Sequence, residues 1–373
     1  ADPWGTVQGG NPFPSVRDPN APFVCCFGSF AAQQPDAKAP TIYQWNLSMQ
    51  RQIGKDWLVS ATYMGTETAH LWISIPLNPS ILDPCPNGVI TSCNSTGNIN
   101  QRRLTYRINP TEAQYLGAVD QIKSYGTASY HGLILSAQKR LSHGVSFNGN
   151  YTWSHCIGDF PVGASTFNNN TGLLDLNNRK YDRGNCTQTT LDGTFALDRR
   201  HIANFSVVLE SPKLSGNKVL AILASNWRLS SSYRVTSAAL VNVTAGIDIQ
   251  LTGMSNQRPN QVLQNPLCDD PRPSCWINPA AFQQPAPGTL GNTGRNSVPG
   301  PGFFQLDSAL SRIFRIQERK TLEVRAEAFN LTNSFRAGPG ANLVVTARNS
   351  PQFGQILSAQ DPRIMQLALK LSF

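Results

Sequence analysis

Eight cysteines are the residues of this 373-residue chain whose type and spacing most directly imply chemistry. Six of them flank polar, turn-forming sequence in pairs: Cys85 with Cys93 and Cys268 with Cys275 closely spaced, and Cys156 with Cys186 around a long polar segment. Cysteines serve both disulfides and zinc sites, but the chain has no Cys-x-x-Cys pair and no Cys/His ligand spacing. We therefore predict three loop disulfides formed in an oxidising compartment, and no metal site. The adjacent Cys25 and Cys26 receive no partner from the sequence.

Catalytic combinations of residues are scarce. Ser154 beside His155 is a local hint of a Ser/His combination, but adjacent residues of a strand point to opposite faces, so the two cannot act as a nucleophile and its base. The sequence also lacks a Gly-x-Ser-x-Gly elbow, a His-Glu-x-x-His motif and a phosphate loop. We predict that the chain is not an enzyme and holds no cofactor.

The positive charge of the chain does not form a nucleic-acid surface. The net charge is +9, but arginine and lysine are spread singly through polar faces and turns rather than in a basic run. This distribution is typical of solvated or lumen-facing surfaces. We predict no nucleic-acid partner.

The elements that must position these residues are β-strands. Apolar and polar residues alternate strictly in the regular parts of the sequence, and no run of about 18 apolar residues predicts a membrane-spanning helix. We predict an extracellular-type loop and initial segment over 1–40, and then a barrel region over 41–373 in which no plug domain is seen. Its nine predicted strands lie near 41–53, 57–73, 127–141, 145–157, 198–211, 222–237, 303–316, 320–332 and 362–373.

The connections between these strands alternate between two classes. Tight turns are predicted at 54–56, 142–144, 212–218 and 317–320, and long Gly-, Pro-, Asn- and Cys-rich segments at 74–126, 158–197, 238–302 and 333–361. In an up-and-down meander every second connection lies on the same side, so all short turns share one side and all long loops the other. Outer-membrane barrels of bacteria have this asymmetry.

Strand length and aromatic residues favour a membrane barrel over a soluble sandwich. The predicted strands run to about a dozen residues, which is longer than usual in globular proteins. Aromatic residues are also expected near the turns, as in an interfacial girdle: Trp57, Trp153, Trp227 and Phe314. The predicted fold class is all-β: an antiparallel up-and-down transmembrane β-barrel, or the C-terminal portion of one, with long disulfide-stapled extracellular loops.

Charged residues form one stripe on a predicted strand. Glu323, Arg325 and Glu327 alternate and therefore share a face. Such a stripe could line a ligand path or contact a plug. We favour the interpretation of a solvated lumen wall with cross-strand ion pairs.

The last strand carries the clearest signal. Its apolar residues occupy every second position up to the final residue: Met365, Leu367, Leu369, Leu371 and Phe373. A terminal Phe preceded in this way resembles the sorting signal that the outer-membrane barrel assembly machinery reads. Such an edge strand must pair by its backbone with the machinery and then with another strand of its barrel. The expected partners are this machinery and outer-membrane lipid, and the expected location is the bacterial outer membrane.

Ordered blocks of sequence lie at 2–5, 9–14, 130–133, 139–144, 150–154, 198–201, 325–333, 353–356 and 361–364. They resemble the TonB-dependent receptors of the Oar-like type that are common in Acidobacteria, and the resemblance covers nearly the whole chain. The resemblance implies energy-coupled uptake through a 22-stranded barrel occluded by an N-terminal plug. The chain departs from that family pattern because it contains no plug, no TonB-contact segment and no carboxypeptidase-regulatory-like domain.

Nine strands leave three interpretations open. The chain is a fragment of a longer polypeptide, a partner in an assembly that supplies other strands, or a small barrel closed by a further strand near 21–32, because an open sheet in lipid has costly unpaired edges. The predicted function is a TonB-dependent receptor or transporter barrel for an unnamed substrate. A plug and TonB are partners only if the chain belongs to a longer receptor. The alternative is an outer-surface structural or interaction protein that displays stapled loops without transport.

Overall fold

The computed structural model describes residues 27–159, 173–190, 193–196, 198–212, 224–317, 320–338 and 343–373. These ranges are mostly β-structure joined by long loops. Most of the predicted initial segment over 1–40, including Cys25 and Cys26, lies outside the described residues.

The described strands and helices are as follows. In chain order the strands are β1 (Gly28–Gln33), β2 (Thr41–Ile53), β3 (Trp57–Pro76), β4 (Leu116–Ser142), β5 (Val145–Gly158), β6 (Gly184–Asn185), β7 (Thr187–Thr190), β8 (Gly193–Ala196), β9 (His201–Glu210), β10 (Trp227–Thr236), β11 (Leu240–Val241), β12 (Asn260–Gln261), β13 (Leu267–Arg272), β14 (Cys275–Ile277), β15 (Phe282–Gln283), β16 (Val298–Pro299), β17 (Phe303–Gln317), β18 (Lys320–Phe329) and β19 (Ile364–Ser372). The short α-helices are α1 (Leu104–Ile108), α2 (Pro110–Ala113) and α3 (Arg179–Asp182), and 3-10 turns lie at Ile90–Ser92, Thr96–Asn98, Asn100–Arg102 and Pro279–Ala281. No helix in the described ranges is long and apolar enough to span a membrane.

One large sheet organises the chain. Its hydrogen-bonded path is β19-β18-β17-β10-β9-β5-β4-β3-β2, and every neighbouring pair on this path is antiparallel. The strands of this path follow one another in chain order. The predicted antiparallel up-and-down arrangement is therefore confirmed.

The two ends of this sheet carry different connections. At the turn end, the strands are joined through 54–56, 143–144, 211–226 and 318–319, and at the loop end through loop 1 (77–115), loop 2 (159–200), loop 3 (237–302) and loop 4 (330–363). The turn predicted at 212–218 falls in the connection between the end of β9 at Glu210 and the start of β10 at Trp227. Residues 213–223 of that connection lie outside the described part of the chain, so this turn stays a prediction.

Strand β4 is much longer than the prediction of 127–141. It begins at Leu116, and its first residues pair with the loop-end extension of β3, where Ile75 lies opposite Gln121. Alternate residues of this extension are buried, but two of them, Asp120 and Ser124, are polar, so the apolar alternation is lost. Burial of Asp120 is compatible with a strand because the Ser74 hydroxyl donates to its carboxylate over 2.8 Å.

Strand β1 does not close the sheet. It pairs in parallel with the loop-end extension of β4, with Phe30 opposite Val119, and lies off the main path. The hypothesis of a closing strand near 21–32 is therefore wrong for its described part. Close approach requires a glycine here, because a Cβ atom on Gly117 would meet the carbonyl oxygen of Phe27.

The hydrophobic core lies in the loops rather than beneath the sheet. Loops 3 and 4 together bury a cluster of Val243, Ile277, Ala281, Phe282, Val298, Ala337, Val344, Phe353 and Ile356. By contrast β2 and β19, the two ends of the described path, are exposed on both faces. The loops thus form a packed body at one end of an open, two-faced sheet.

Candidate functional site

The register of the sheet separates its side chains into an apolar face and a polar face. Residues opposite each other in register point to the same side. A row through the middle of the apolar face contains Met49, Ala61, Leu135, Tyr151, Ala203, Val235 and Phe304. Met49 and Leu135 remain 68% and 42% exposed. A continuous exposed apolar face of this extent is typical of contact with lipid.

The opposite face is polar along the same strands. The adjacent row contains Gln50, Ser60, Ser136, Asn150, Asn204, Arg234 and Gln305. Neighbouring strands exchange hydrogen bonds here: Asn204 Nδ2 donates to Asn150 Oδ1 over 3.3 Å, and the Ser48 and Thr62 hydroxyls are 2.8 Å apart. This face suits water or a polar surface, as the lumen side of a barrel does.

Aromatic residues border the apolar face at both ends. Trp57 and Trp227 lie at the turn end as predicted, whereas Trp153 lies toward the loop end, opposite Leu133 and His201. Its position differs from the prediction because eight residues of β5 separate it from the start of that strand at Val145. Tyrosine and histidine side chains also lie at this loop-end border.

Two Tyr–His pairs satisfy polar groups at the loop-end border. The Tyr63 hydroxyl lies 2.9 Å from His131 Nδ1, and the Tyr151 hydroxyl lies 2.7 Å from His201 Nδ1. From Trp57 to the loop-end border at Gly65 the chain rises about 26 Å along the strand. Because barrel strands are tilted by about 35–45°, this length covers roughly 18–21 Å of the apolar band of about 25 Å in outer-membrane barrels.

The three predicted disulfides are present at the loop end. Cys85 is joined to Cys93 in loop 1, Cys156 of β5 to Cys186 in loop 2, and Cys268 to Cys275 in loop 3. In the chain-entropy treatment, the 30-residue separation of Cys156 and Cys186 corresponds to about 3–4 kcal/mol of stabilisation. The disulfides hold loops 1, 2 and 3 in compact conformations.

A buried ion pair ties loop 2 to loop 3. Arg258 Nη1 lies 3.0 Å from Asp182 Oδ1, and both side chains are almost fully buried. The guanidinium also donates to the backbone oxygens of Tyr181 and Thr293 and stacks 3.9 Å from the centroid of the Tyr181 ring. The charges of Arg258 and Asp182 satisfy each other inside the protein. Removal of either side chain would therefore leave the charge of the other buried without its ion-pair partner.

A second ionic anchor holds loop 2 against β4. Asp159 accepts hydrogen bonds from the Thr127 backbone N–H at 2.7 Å and from Arg179 Nε at 3.0 Å, and Arg183 lies 3.3 Å away. Burial raises the pKa of Asp159, but the hydrogen bond from Arg179, the one from Thr127 and the two positive charges lower it more, so the net pKa is below the ordinary value. The anchor therefore requires an ionised Asp159.

The charged stripe of β18 lies on the polar face. Glu327 is opposite Gln366 and Glu323 is opposite Lys370 in register. Arg325 Nη2 pairs at 2.5 Å with Glu327 Oε1 of its own strand, whose carboxylate also accepts from the Gln366 amide, and cross-strand ion pairs stay a prediction. The long guanidinium side chain reaches two residues along the strand. The role of the stripe in a lumen wall stays a prediction.

The last strand pairs with β18 over its whole length, from Ile364 opposite Phe329 to Ser372 opposite Thr321. The five residues of the predicted sorting strand remain exposed: Met365, Leu367, Leu369, Leu371 and Phe373. Recognition of this strand by the assembly machinery stays a prediction.

A cavity on the polar face was not anticipated from the sequence. It has a volume of about 440 Å³ and lies where β9, β10 and β17 meet loops 3 and 4. Arg199 and Arg234 line it, together with Phe303 and Gln305. The sequence carried one signal for this cavity, because Arg199 and Arg234 lie at the loop ends of neighbouring strands. They are 35 positions apart in the chain, and this separation hid their proximity.

Comparison with known proteins identifies the family. A family model described as "Outer membrane beta barrel domain" matches residues 1–366. The chain belongs to this family. Its apolar face is therefore the lipid-facing side of an outer-membrane β-barrel, its polar face is the lumen side, and the protein resides in the bacterial outer membrane. No curated protein matches the chain.

Solved structures similar to the chain are larger outer-membrane proteins. The outer membrane transporter YddB from Escherichia coli is 11% identical, with a TM-score of 0.43, over 94% of this chain and 35% of that protein. The ferric-catecholate import receptor Fiu from E. coli K12 is 10% identical, with a TM-score of 0.41, over 91% and 29%. BauA, the ferric preacinetobactin receptor from Acinetobacter baumannii, is 13% identical, with a TM-score of 0.40, over 89% and 29%. The chain spans about a third of the length of these structures.

Proposed function

We propose that the chain forms the C-terminal barrel wall of a TonB-dependent receptor of the Oar-like type, which imports a substrate across the outer membrane. The observation that carries this proposal is the two-faced sheet, whose lumen side is lined by amides, hydroxyls and arginines from β2 to β17. The ordered sequence blocks that resemble such receptors support it independently. In this role the lumen face contacts a plug, and a TonB protein supplies energy.

The loop end supports a receptor role. Loops 3 and 4 share a hydrophobic core, the Arg258–Asp182 pair ties loop 2 to them, and three disulfides restrain the loops. A preorganised surface of this kind loses less conformational entropy when it binds a substrate than mobile loops would. The same property supports the second candidate, an outer-surface scaffold that displays rigid loops without transport.

Photo-cross-linking separates the two candidates. The intact protein, extracted from its native outer membrane, would carry a photoreactive phenylalanine either at the lumen-facing Asn204 or at its lipid-facing neighbour Phe205. A receptor should yield cross-links from position 204 to a plug segment of the same polypeptide, and an intact mass well above the 40.7 kDa of this chain. Position 205 is the matched control and should cross-link to lipid. Absence of any plug cross-link, with a mass of 40.7 kDa, would overturn the transport proposal in favour of the scaffold.

A further inference from the structure

The cavity of about 440 Å³ combines a strand-built floor with a loop-built roof. Ile202, Thr236 and Phe303 form one row of its floor, and Arg234 and Gln305 lie opposite each other in the next row. Loops 3 and 4 cover this floor through residues such as Pro301 and Leu343. Its size falls within the range of about 300–1,000 Å³ that is typical of small-molecule sites.

Arg199 and Arg234 line the cavity and Arg336 flanks it, and the side-chain hydrogen bonds that the structure shows for Arg199 and Arg336 go to neutral groups. Arg199 Nη1 donates to the Ser237 carbonyl oxygen at 2.9 Å and to the Thr236 hydroxyl at 3.3 Å. Arg336 flanks the lining residues and donates to Gln305 Oε1 at 2.7 Å and to the Asp361 carbonyl oxygen at 2.5 Å. Arg336 is 92% buried, given its 8% exposure, yet its Nε atom has no hydrogen-bond partner. This group is a buried donor without an acceptor.

No carboxylate in the described part of the chain forms an ion pair with Arg199, Arg234 or Arg336. Asp307 belongs to the same hydrogen-bond network, but the Gln305 amide stands between it and Arg336. Its other oxygen accepts from the Asn330 backbone N–H over 2.8 Å. The positive charges around the cavity therefore lack a direct anionic partner.

The aromatic ring of Phe303 orients two of the guanidinium groups. The Cζ atoms of Arg234 and Arg336 lie 5.3 and 5.9 Å from the centroid of this ring. Cation–π contact engages the face of a guanidinium, and its N–H donors point outward in its plane. The ring thus holds two charged donors near the cavity without consuming their hydrogen bonds.

The positive charges of Arg199 and Arg234 repel each other. Burial lowers the pKa of Arg199, and the neighbouring charge of Arg234 lowers it further. A bound anion would relieve both costs, because it would neutralise the repulsion and supply charge-assisted hydrogen bonds.

We propose that this cavity binds the oxyanion group of a substrate, a carboxylate or a phosphate. The inference deepens the proposed function, since it names the substrate class that the lumen would admit, but the binding site itself can be tested without transport. A guanidinium pairs with either group through two parallel hydrogen bonds, so the shared chemistry is a planar or tetrahedral oxyanion.

The test is calorimetric titration of the intact protein in detergent micelles at low ionic strength, with citrate in one series and inorganic pyrophosphate in another. At least one probe should bind with saturation, and which one binds tighter distinguishes a carboxylate from a phosphate site. Arg234→Gln should weaken that binding about tenfold or more, because it removes charge-assisted hydrogen bonds. Arg234→Lys, which keeps the charge, should weaken it less. Arg228→Gln is the matched control, since Arg228 lies on the same face of β10 about 20 Å nearer the turn end.

Saturable binding that is lost in Arg234→Gln and kept in Arg228→Gln would support the site. Lack of saturable binding of both probes, or equal loss in the two glutamine variants, would overturn it. Heat-modifiable migration of each variant on gels establishes that its barrel is folded. Failure of anion binding with plug cross-links present would reject this inference alone, and anion binding without plug cross-links, at an intact mass of 40.7 kDa, would reject the transport proposal alone.

Discussion

A charge placed at the middle of the lipid face should destabilise the barrel far more than the same charge one residue away. Leu135 lies in the row that contains Met49 and Ala61, and its neighbour Ser136 points to the lumen. Ala61 lies four residues from both Trp57 and Gly65, so this row is about 13 Å along the strand from each border of the apolar band. Leu135→Arg therefore brings an arginine to the bilayer midplane.

The loss of folding free energy depends on how deep in the membrane the arginine lies. An arginine on the lipid face costs about 2–4 kcal/mol at the midplane and about 0–1 kcal/mol near the interfaces. The native chain agrees with this gradient, because Lys139 occupies a lipid-facing position at the turn end, where its Nζ donates to the Ser142 and Val145 carbonyl oxygens over 2.9 and 2.8 Å. Leu135→Arg should reduce the folding equilibrium roughly 30- to 900-fold, at about 1.36 kcal/mol for each factor of ten.

The assay is urea-dependent unfolding of the intact protein in lipid vesicles, followed by tryptophan fluorescence and by heat-modifiable migration on gels. Ser136→Arg is the matched control and should change the free energy of unfolding by no more than about 1 kcal/mol, because water on the lumen side solvates the added charge. If Ser136→Arg costs as much as Leu135→Arg, or more, the assignment of the two faces is wrong.

Three further outcomes are expected. Phe373→Ala should lower the amount of folded barrel in outer membranes several-fold, measured by heat-modifiable migration, whereas Ser372→Ala should not; equal yields would contradict the sorting-strand prediction. Arg258→Met should weaken the contact between loops 2 and 3 by about 3–5 kcal/mol, because it leaves the buried Asp182 carboxylate without its ion-pair partner; hydrogen exchange in loop 2 would detect this, and unchanged protection would refute it. The lowered pKa of Asp159 makes its anchoring of loop 2 complete above its unfolded pKa of about 3.9 and progressively lost as the pH falls through the lower folded value; protection of loop 2 amides relative to their intrinsic exchange rates that is the same at pH 6 and pH 2.5 would disagree.

The strands in the membrane band were predictable because their constraint is local. Lipid on one side and water on the other impose a period of two on each strand, so β2 was placed at 41–53 from sequence alone. Prediction failed where the surroundings change: the β4 extension over 116–126 buries Asp120 and Ser124 among other loop-end groups, and the alternation of apolar residues ends there.

The loop disulfides illustrate the same division. Cys85 and Cys93 are eight positions apart, and the loop between them leaves little choice of partner. The arginine cavity joins residues 199, 234 and 336, which no local pattern connects. Their meeting depends on the register of β9, β10 and β17 and on the packing of loop 4.

Sequence patterning therefore specified the two-faced antiparallel sheet, the side on which its long loops lie, and the disulfides, because the first two rest on periodicity and on the lengths of the connections, and each disulfide joins cysteines that flank a single polar segment. Only the tertiary structure decided the parallel addition of β1, the shared core of loops 3 and 4, the Arg258–Asp182 tie and the arginine cavity. The physical reason is range: these features arise from contacts between segments far apart in the chain, and such contacts depend on the whole fold rather than on any local repeat.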